Sequence, residues 1–346
     1  MPVLQDRPFH GLHWFDPFGS VKFEDLRNVP PVDNVDRAVR YLFWDQEPLQ
    51  QILVDQTLLR FVQMFSDGQR HIITSECNSE MVSYIENTYG FKSHYYFFHG
   101  WAALDWFRGY NRSFLMTAPE QRNITKTFIM PNRIIAGERQ HRLLMLYHIF
   151  KNNIKNNWIS CPATCPAENI SVIDAVATLS KQYPDIVSVF AKEQLPMNFP
   201  NESGHPMHSN QLSLFDLSAE SLLYLVTETV ATGRRQHLTE KTFKPICLRM
   251  PFIIVGTQGS LSYLKSYGFK TFGDVWDESY DDEPNDIIRL ERIASLLRSL
   301  DELSVAGKQD LFNMAQEVVG HNYNHFYGGG FEQVLWQELT KMLEAF

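Results

Sequence analysis

Thr239, Glu240 and Lys241 follow one another in the stretch Leu238 to Gly256, LTEKTFKPICLRMPFIIVG, in an order that can hold an anion. Threonine is a favoured helix cap, so a helix opening at Glu240 would turn its free backbone N–H groups and partial positive charge toward a ligand. Lys241 in the first turn adds a full charge to that site. Pro251 to Val255 reads as a fully buried strand, and Gly256 to Ser260 (GTQGS) as a tight turn into the next helix. Two helix N-termini are therefore expected at one crevice, an arrangement suited to the diphosphate of a nucleotide sugar.

The longer segment Leu222 to Phe272 resembles the donor-binding half of GT-B glycosyltransferases, most closely the fucosyltransferase family. There, an apolar strand with a glutamate precedes a T-E-K helix start, a proline-bearing strand and a glycine turn. The resemblance implies an α/β fold of two Rossmann-like domains facing a cleft, and transfer of a sugar from a nucleoside diphosphate to a hydroxyl acceptor. It implies that Glu240 holds the ribose and Lys241 the diphosphate, with Glu228 at the earlier glutamate position and Thr239 and Gly256 completing the donor site. The family's asparagine and arginine after a strand fall in KTFIMPNRIIAGERQHR, which offers Lys126, Asn132, Arg133 and Arg142. The chain departs from the pattern in the Lys244-Pro245 pair inside the helix, in a longer GRRQH insertion, and in an N-terminal half that does not align.

Such a transfer needs the leaving diphosphate neutralised, the acceptor hydroxyl aimed at the anomeric carbon and, for inversion, a base. Open α/β sheets bring ligands to the carboxyl ends of their strands, so the base is expected there in the first domain. Asp45 and Glu47 follow the strand RYLFW, Glu76 follows HIIT, and His99 follows HYYFF with Asp105 shortly after. Glu47 and His99 rank first, the histidine because its unperturbed pKa lies near neutrality. A retaining transfer would need no such base. Trp101 and Trp106, with Phe107 and Tyr110, could stack on an acceptor, or could simply be core.

The elements that must position these residues follow from periodicity. Arg40–Trp44, His71–Thr74 and His94–Phe98 read as strands, separated by helical patterns at 49–65 and 76–89. Later come a strand at 128–130, a helix at 138–152, a polar surface connection at 153–169, and helices at 286–300, 309–319 and 331–343. The domain boundary is expected near Arg122, giving an acceptor domain over 1–122 and a donor domain over 123–346, with the last helix free to cross back. No G-x-G-x-x-G fingerprint follows the first strands, which leaves a nicotinamide or flavin site without support.

The 346 residues supply enough apolar and aromatic side chains for two cores. Neither a signal peptide nor a membrane-length apolar run is seen, so a cytoplasmic enzyme without a membrane span is expected. Cys77, Cys161, Cys165 and Cys247 are too scattered for a disulfide framework or a zinc site. His205 and His208 read as loop residues and the acidic run Asp277–Asp282 as a turn, so no metal and no cofactor beyond the nucleotide-sugar co-substrate is expected. The sequons at Asn111, Asn123, Asn169 and Asn201 then carry no weight.

The net charge of −9 opposes nonspecific binding to nucleic acid, yet it is uneven. From Arg122 to Lys155 the cations Arg122, Lys126, Arg133, Arg139, Arg142, Lys151 and Lys155 meet only Glu138. That belt, with the tryptophans, motivates an alternative acceptor, a hydroxymethylated base in DNA, as used by phage-type transferases. A degenerate GT-B module that binds a nucleotide or glycan without turnover is the alternative of another class.

Overall fold

The computed structural model describes residues 12–15, 39–44, 47–64, 66, 68–108, 122–200 and 212–344. Among them the chain forms two compact units. One holds the residues up to Ala102 together with Arg234–His237 and those from Glu332 on; the other holds Ala103–Gly233 and Leu238–Phe331. Arg122 lies within the second.

In the first unit β1 (Leu12–Phe15), β2 (Val39–Trp44), β3 (Gln69–Thr74) and β4 (Phe91–Tyr95) pair in parallel, in chain order. Parallel neighbours require crossovers, supplied by α1 (Gln51–Met64) between β2 and β3 and α2 (Glu80–Tyr89) between β3 and β4. Side chains alternate across the sheet. Leu42, Trp44 and Ile72 join a core with Leu49, Val54, Leu58, Phe61, Ile85 and Phe91, while Phe43 and Ile73 meet Tyr96, Met342 and Leu343 on the opposite face. Ser79 caps α2 by accepting from Met81 N–H, and Gly90, at φ 67°, closes it in the left-handed conformation that glycine adopts without strain. The strand expected at 94–98 begins instead directly after that glycine, and Phe98 already opens α3 (Phe98–Arg108).

In the second unit β5 (Lys126–Met130) is followed by α4 (His141–Lys151) and β6 (Asn157–Ile159). A small antiparallel pair, β7 (Thr164–Cys165) with β8 (Ile170–Ser171), and short helices α5 (Val172–Thr178), α6 (Ile186–Phe190) and α7 (Phe215–Glu220) lead to β9 (Ser221–Thr227). Then come α8 (Glu240–Cys247), β10 (Phe252–Val255) and α9 (Ser260–Ser266), and finally α10 (Asp286–Asp301), α11 (Val305–Met314), α12 (Gln316–Tyr327) and α13 (Gly330–Glu344). The expected surface connection at 153–169 thus hides a strand. Trp158 and Ile159 pair with Ile129 and Met130, too few residues to show a period among polar neighbours.

All four main strands of this sheet are parallel, in the order β10-β9-β5-β6. The chain leaves β5 for β6 on one side and returns to β9 on the other, so the order reverses between β5 and β9. Ligands of open parallel sheets gather at the carboxyl ends of the strands beside such a reversal. Asn132 and Glu228 stand at those two ends. The first sheet, running in chain order, has no reversal among its described strands.

Candidate functional site

Glu228 is fully buried at the end of β9, and its carboxylate is saturated by donors from the loop and helix that follow. Oε1 accepts from Thr239 N–H at 3.1 Å and Thr242 Oγ1 at 2.6 Å; Oε2 accepts from Thr239 Oγ1 at 2.7 Å and Thr229 N–H at 3.0 Å. A buried carboxylate with that many donors is held by them, and in turn holds them. It anchors the start of α8 to β9. Glu228, placed by resemblance in the donor site, is thereby one layer behind the helix terminus.

Thr239 caps α8 from the extended conformation, at φ −123°, its hydroxyl accepting from Lys241 N–H. Lys241 is about one-third exposed, and its Nζ donates to Thr229 Oγ1 at 3.1 Å, Thr239 Oγ1 at 3.2 Å and Glu240 Oε1 at 3.0 Å. Three acceptors fix the ammonium beside the helix N-terminus while one side of it meets solvent. Glu240 is 6 % exposed and already paired, so its carboxylate balances part of the lysine charge. Four residues on, burial pulls the Lys244 ammonium down to about 8, opposed by Glu240. Pro245 removes the donor that would have bonded the Lys241 carbonyl.

The residues after β5 divide between interior and surface. Asn132 is buried, its Oδ1 accepting from Thr227 Oγ1 at 2.9 Å and its backbone tied to Ser160. Arg142 is buried too, donating to the carbonyls of Ile134, Thr227 and Glu228. Beside it His141 Nε2 lies 3.0 Å from the Glu228 carbonyl, and burial, with the Arg142 charge, pushes that imidazole down to about 3. Neutral His141 and charged Arg142 thus cap the carboxyl end of β9 from α4. Arg133 is exposed. The expected basic belt is dispersed in the same way: Arg122 donates to Ser218 and Leu248 carbonyls, Lys126 covers the Trp158 ring, and Lys151 pairs with Asp185 at 2.9 Å.

The second helix terminus expected at the crevice is filled by the chain itself. Asp281, from the acidic run, accepts from Leu261 N–H at 3.0 Å in the first turn of α9. Burial pushes its carboxyl up to about 6, against the backbone N–H groups that favour its charge. Gly256 is required by close approach, since a Cβ there would lie 2.6 Å from Ser260 Oγ and 3.1 Å from Ile254 Cγ2. Its carbonyl accepts from Arg289 Nε at 3.0 Å. Arg289, which sequence reading passed over as one more charge on an amphipathic helix, is 2 % exposed and also donates to Ala231 and Glu283 carbonyls and Asp286. It joins the loop after β9 to the turn after β10.

In the first unit Glu76 is 1 % exposed and fully engaged, accepting from Leu49 N–H at 3.0 Å and Ser79 Oγ, with Arg235 3.7 Å away. Arg235 belongs to the GRRQH insertion, whose Gln236 exchanges backbone hydrogen bonds with Cys77. His99 is buried edge-on to His237 of the same insertion, ring centroids 4.8 Å apart. Sequence reading paired neither. Glu47 is half-buried, and its carbonyl accepts from the buried Trp44 indole at 3.0 Å. Trp101 packs edge-to-face with Trp336 in this unit, whereas Trp106 falls in the second unit and Phe107 is core. Asp45, Tyr110, His205 and His208 lie outside the described residues.

Among the described residues no group of three or more His, Cys, Asp or Glu side chains is placed to hold a metal ion, and no helix is long and apolar enough to cross a membrane. No protein-family model, curated protein sequence or solved structure matches the chain.

Proposed function

We propose that the chain is a glycosyltransferase that moves a sugar from a nucleoside diphosphate to a hydroxyl acceptor, with the donor in the second unit and the two-domain plan of GT-B enzymes. The observation that carries this reading is Lys241, whose ammonium is held by three oxygens at the N-terminus of α8 and next to the strand-order reversal. As the bond between the anomeric carbon and the diphosphate oxygen breaks, negative charge builds on that oxygen. A preorganised ammonium beside a helix N-terminus stabilises it without reorganising. In this reading the lysine, and no metal ion, neutralises the leaving group.

For an inverting transfer the base comes from the first unit. Glu76 is consumed by Leu49, Ser79 and Arg235, and of the other strand-end candidates Glu47 and His99 are the groups we assign to take the acceptor proton. The DNA version loses its main support, because Arg122, Arg142, Lys126 and Lys151 are engaged within the fold. We place the enzyme in the cytoplasm, where the free thiols of Cys77, Cys161, Cys165 and Cys247 would stay reduced.

The test is the thermal midpoint of the wild-type chain and of Lys241→Ala with each nucleoside diphosphate, since a ligand of the native state stabilises by mass action. One nucleotide should raise the wild-type midpoint and leave the variant's nearly unmoved. Equal shifts in the two proteins would remove Lys241 from the site, and with it the reading.

A further inference from the structure

The first unit contains an open cavity of about 470 Å³, bounded by α2 and by the ends of β3 and β4. Its size falls within the range of small-molecule sites, and its place at the carboxyl ends of parallel strands is where such sheets take ligands. We propose that this groove binds an uncharged, polyhydroxylated ligand, that is, a glycan segment. As the acceptor site of the transfer it rests on the glycosyltransferase reading; as a glycan-binding groove it does not.

The lining decides the chemical class. Asn78, Ser83 and Tyr95 present amide and hydroxyl groups, and Val82 is the one aliphatic side chain of the lining, so an apolar ligand would leave those groups unpaired. Glu76, Glu80 and Glu86 outnumber Arg234, the one arginine of the lining, which disfavours phosphate and therefore DNA. A metal cation finds no ligand set here, since among the described residues no three His, Cys, Asp or Glu side chains are placed to hold one. Glu76 is turned toward Arg235, Leu49 and Ser79, and Glu86 accepts from Ser93 N–H at 3.1 Å. Glu80 and Arg234, both exposed, offset one another, and the exposed Glu86 keeps its charge, because a backbone N–H does not neutralise it. Exposed carboxylates, a hydroxyl and an amide are groups that a sugar's hydroxyls can bond to, and the half-buried Tyr95 ring offers a face for its C–H groups.

The test uses the whole chain on an array of neutral, amine-bearing and phosphorylated oligosaccharides, with hydroxymethylated duplex DNA alongside. Ser83 is exposed on α2, so Ser83→Trp or Ser83→Arg fills the groove without entering the core. Neutral glycans should be retained by the wild type and weakened at least about tenfold in either variant that keeps the wild-type thermal midpoint. The nucleoside diphosphate shift should stay intact in both. Retention confined to charged glycans or DNA, neutral binding undiminished by either substitution, or no retention at all would each overturn the proposal. Groove-dependent glycan binding with no nucleotide shift in the wild type would keep the groove and remove the transferase reading.

Discussion

The Glu228 carboxylate takes both the backbone N–H of Thr239, at 3.1 Å, and its hydroxyl, at 2.7 Å, so the residue that ends β9 also fixes the cap of α8. With Thr242 and Thr229 it fills its remaining acceptor positions. Replacing one oxygen by an NH2 group sets donor against donor in a site with no solvent. Glu228→Gln should therefore lose about 3 kcal/mol of stability, the penalty for stranding buried donors. Urea unfolding at neutral pH measures it, and a loss under about 0.5 kcal/mol would refute the anchoring role.

Lys241 stands on the same network but from the solvent side. Its bonds to Thr229, Thr239 and Glu240 are partly exposed, and such ion pairs contribute little to folding. Lys241→Ala should cost about 1 kcal/mol or less in the same urea experiment, while removing most of the diphosphate-induced midpoint shift. Glu228→Gln should show the opposite balance, a large stability loss with nucleotide binding retained at low temperature. If the two substitutions gave the same pattern, the division between anchor and ligand contact would be wrong.

At Gly256 the prediction is steric. An alanine Cβ meets Ser260 Oγ, whose hydroxyl donates to Thr257 O at 2.7 Å, and the Ile254 side chain on the other side. Gly256→Ala should cost about 1–3 kcal/mol by overpacking. Adding Ser260→Ala removes the nearest obstacle, the hydroxyl oxygen, and leaves the residue-260 Cβ at 3.3 Å and Ile254 Cγ2, so the double variant should be less unstable than the sum of the singles. A double-mutant cycle reads that coupling, and strict additivity would mean the turn relaxes around the methyl group.

What the sequence reveals here is what is encoded locally. The cap at Thr239, the buried run at β10 and the glycine turn each announce themselves within a few residues, and the structure places them in that order. The interior position of Arg289 is invisible because its partners, the carbonyls of Ala231, Gly256 and Glu283, are backbone atoms of three separate loops. Asp281 is hidden for a related reason, since nothing in an acidic run says which carboxylate will seat in the first turn of α9. The GRRQH segment looks like a loop insertion into the donor motif. Contacts far apart in the chain, Gln236 with Cys77, Arg235 with Glu76 and His237 with His99, assign its Arg234–His237 part to the first unit.

Acid should destabilise the protein earlier than carboxylates alone would. His71 Nδ1 and His94 Nε2 lie 2.8 Å apart with their rings stacked, both buried, and burial with the neighbouring cationic groups depresses both, His94 to about 4. His141 is pushed down to about 3, and burial lowers His148 and His325 as well. A histidine with a folded pKa below its unfolded value binds its proton more readily in the unfolded chain. Its contribution is therefore fully present above about pH 6.5 and is lost as pH falls toward the folded value. Asp281 and Glu76, raised by burial, act with the opposite sign, gaining stability as pH falls between their folded and unfolded values. Five imidazoles against two carboxyls leave the histidines ahead, so unfolding free energy should fall between pH 6.5 and 4.5. Each imidazole that protonates only on unfolding contributes up to about 1.4 kcal/mol per pH unit. Urea unfolding across that range should show the decline, and His94→Phe should flatten it by breaking the coupled pair; a flat profile in the wild type would mean these imidazoles are solvated in the native protein.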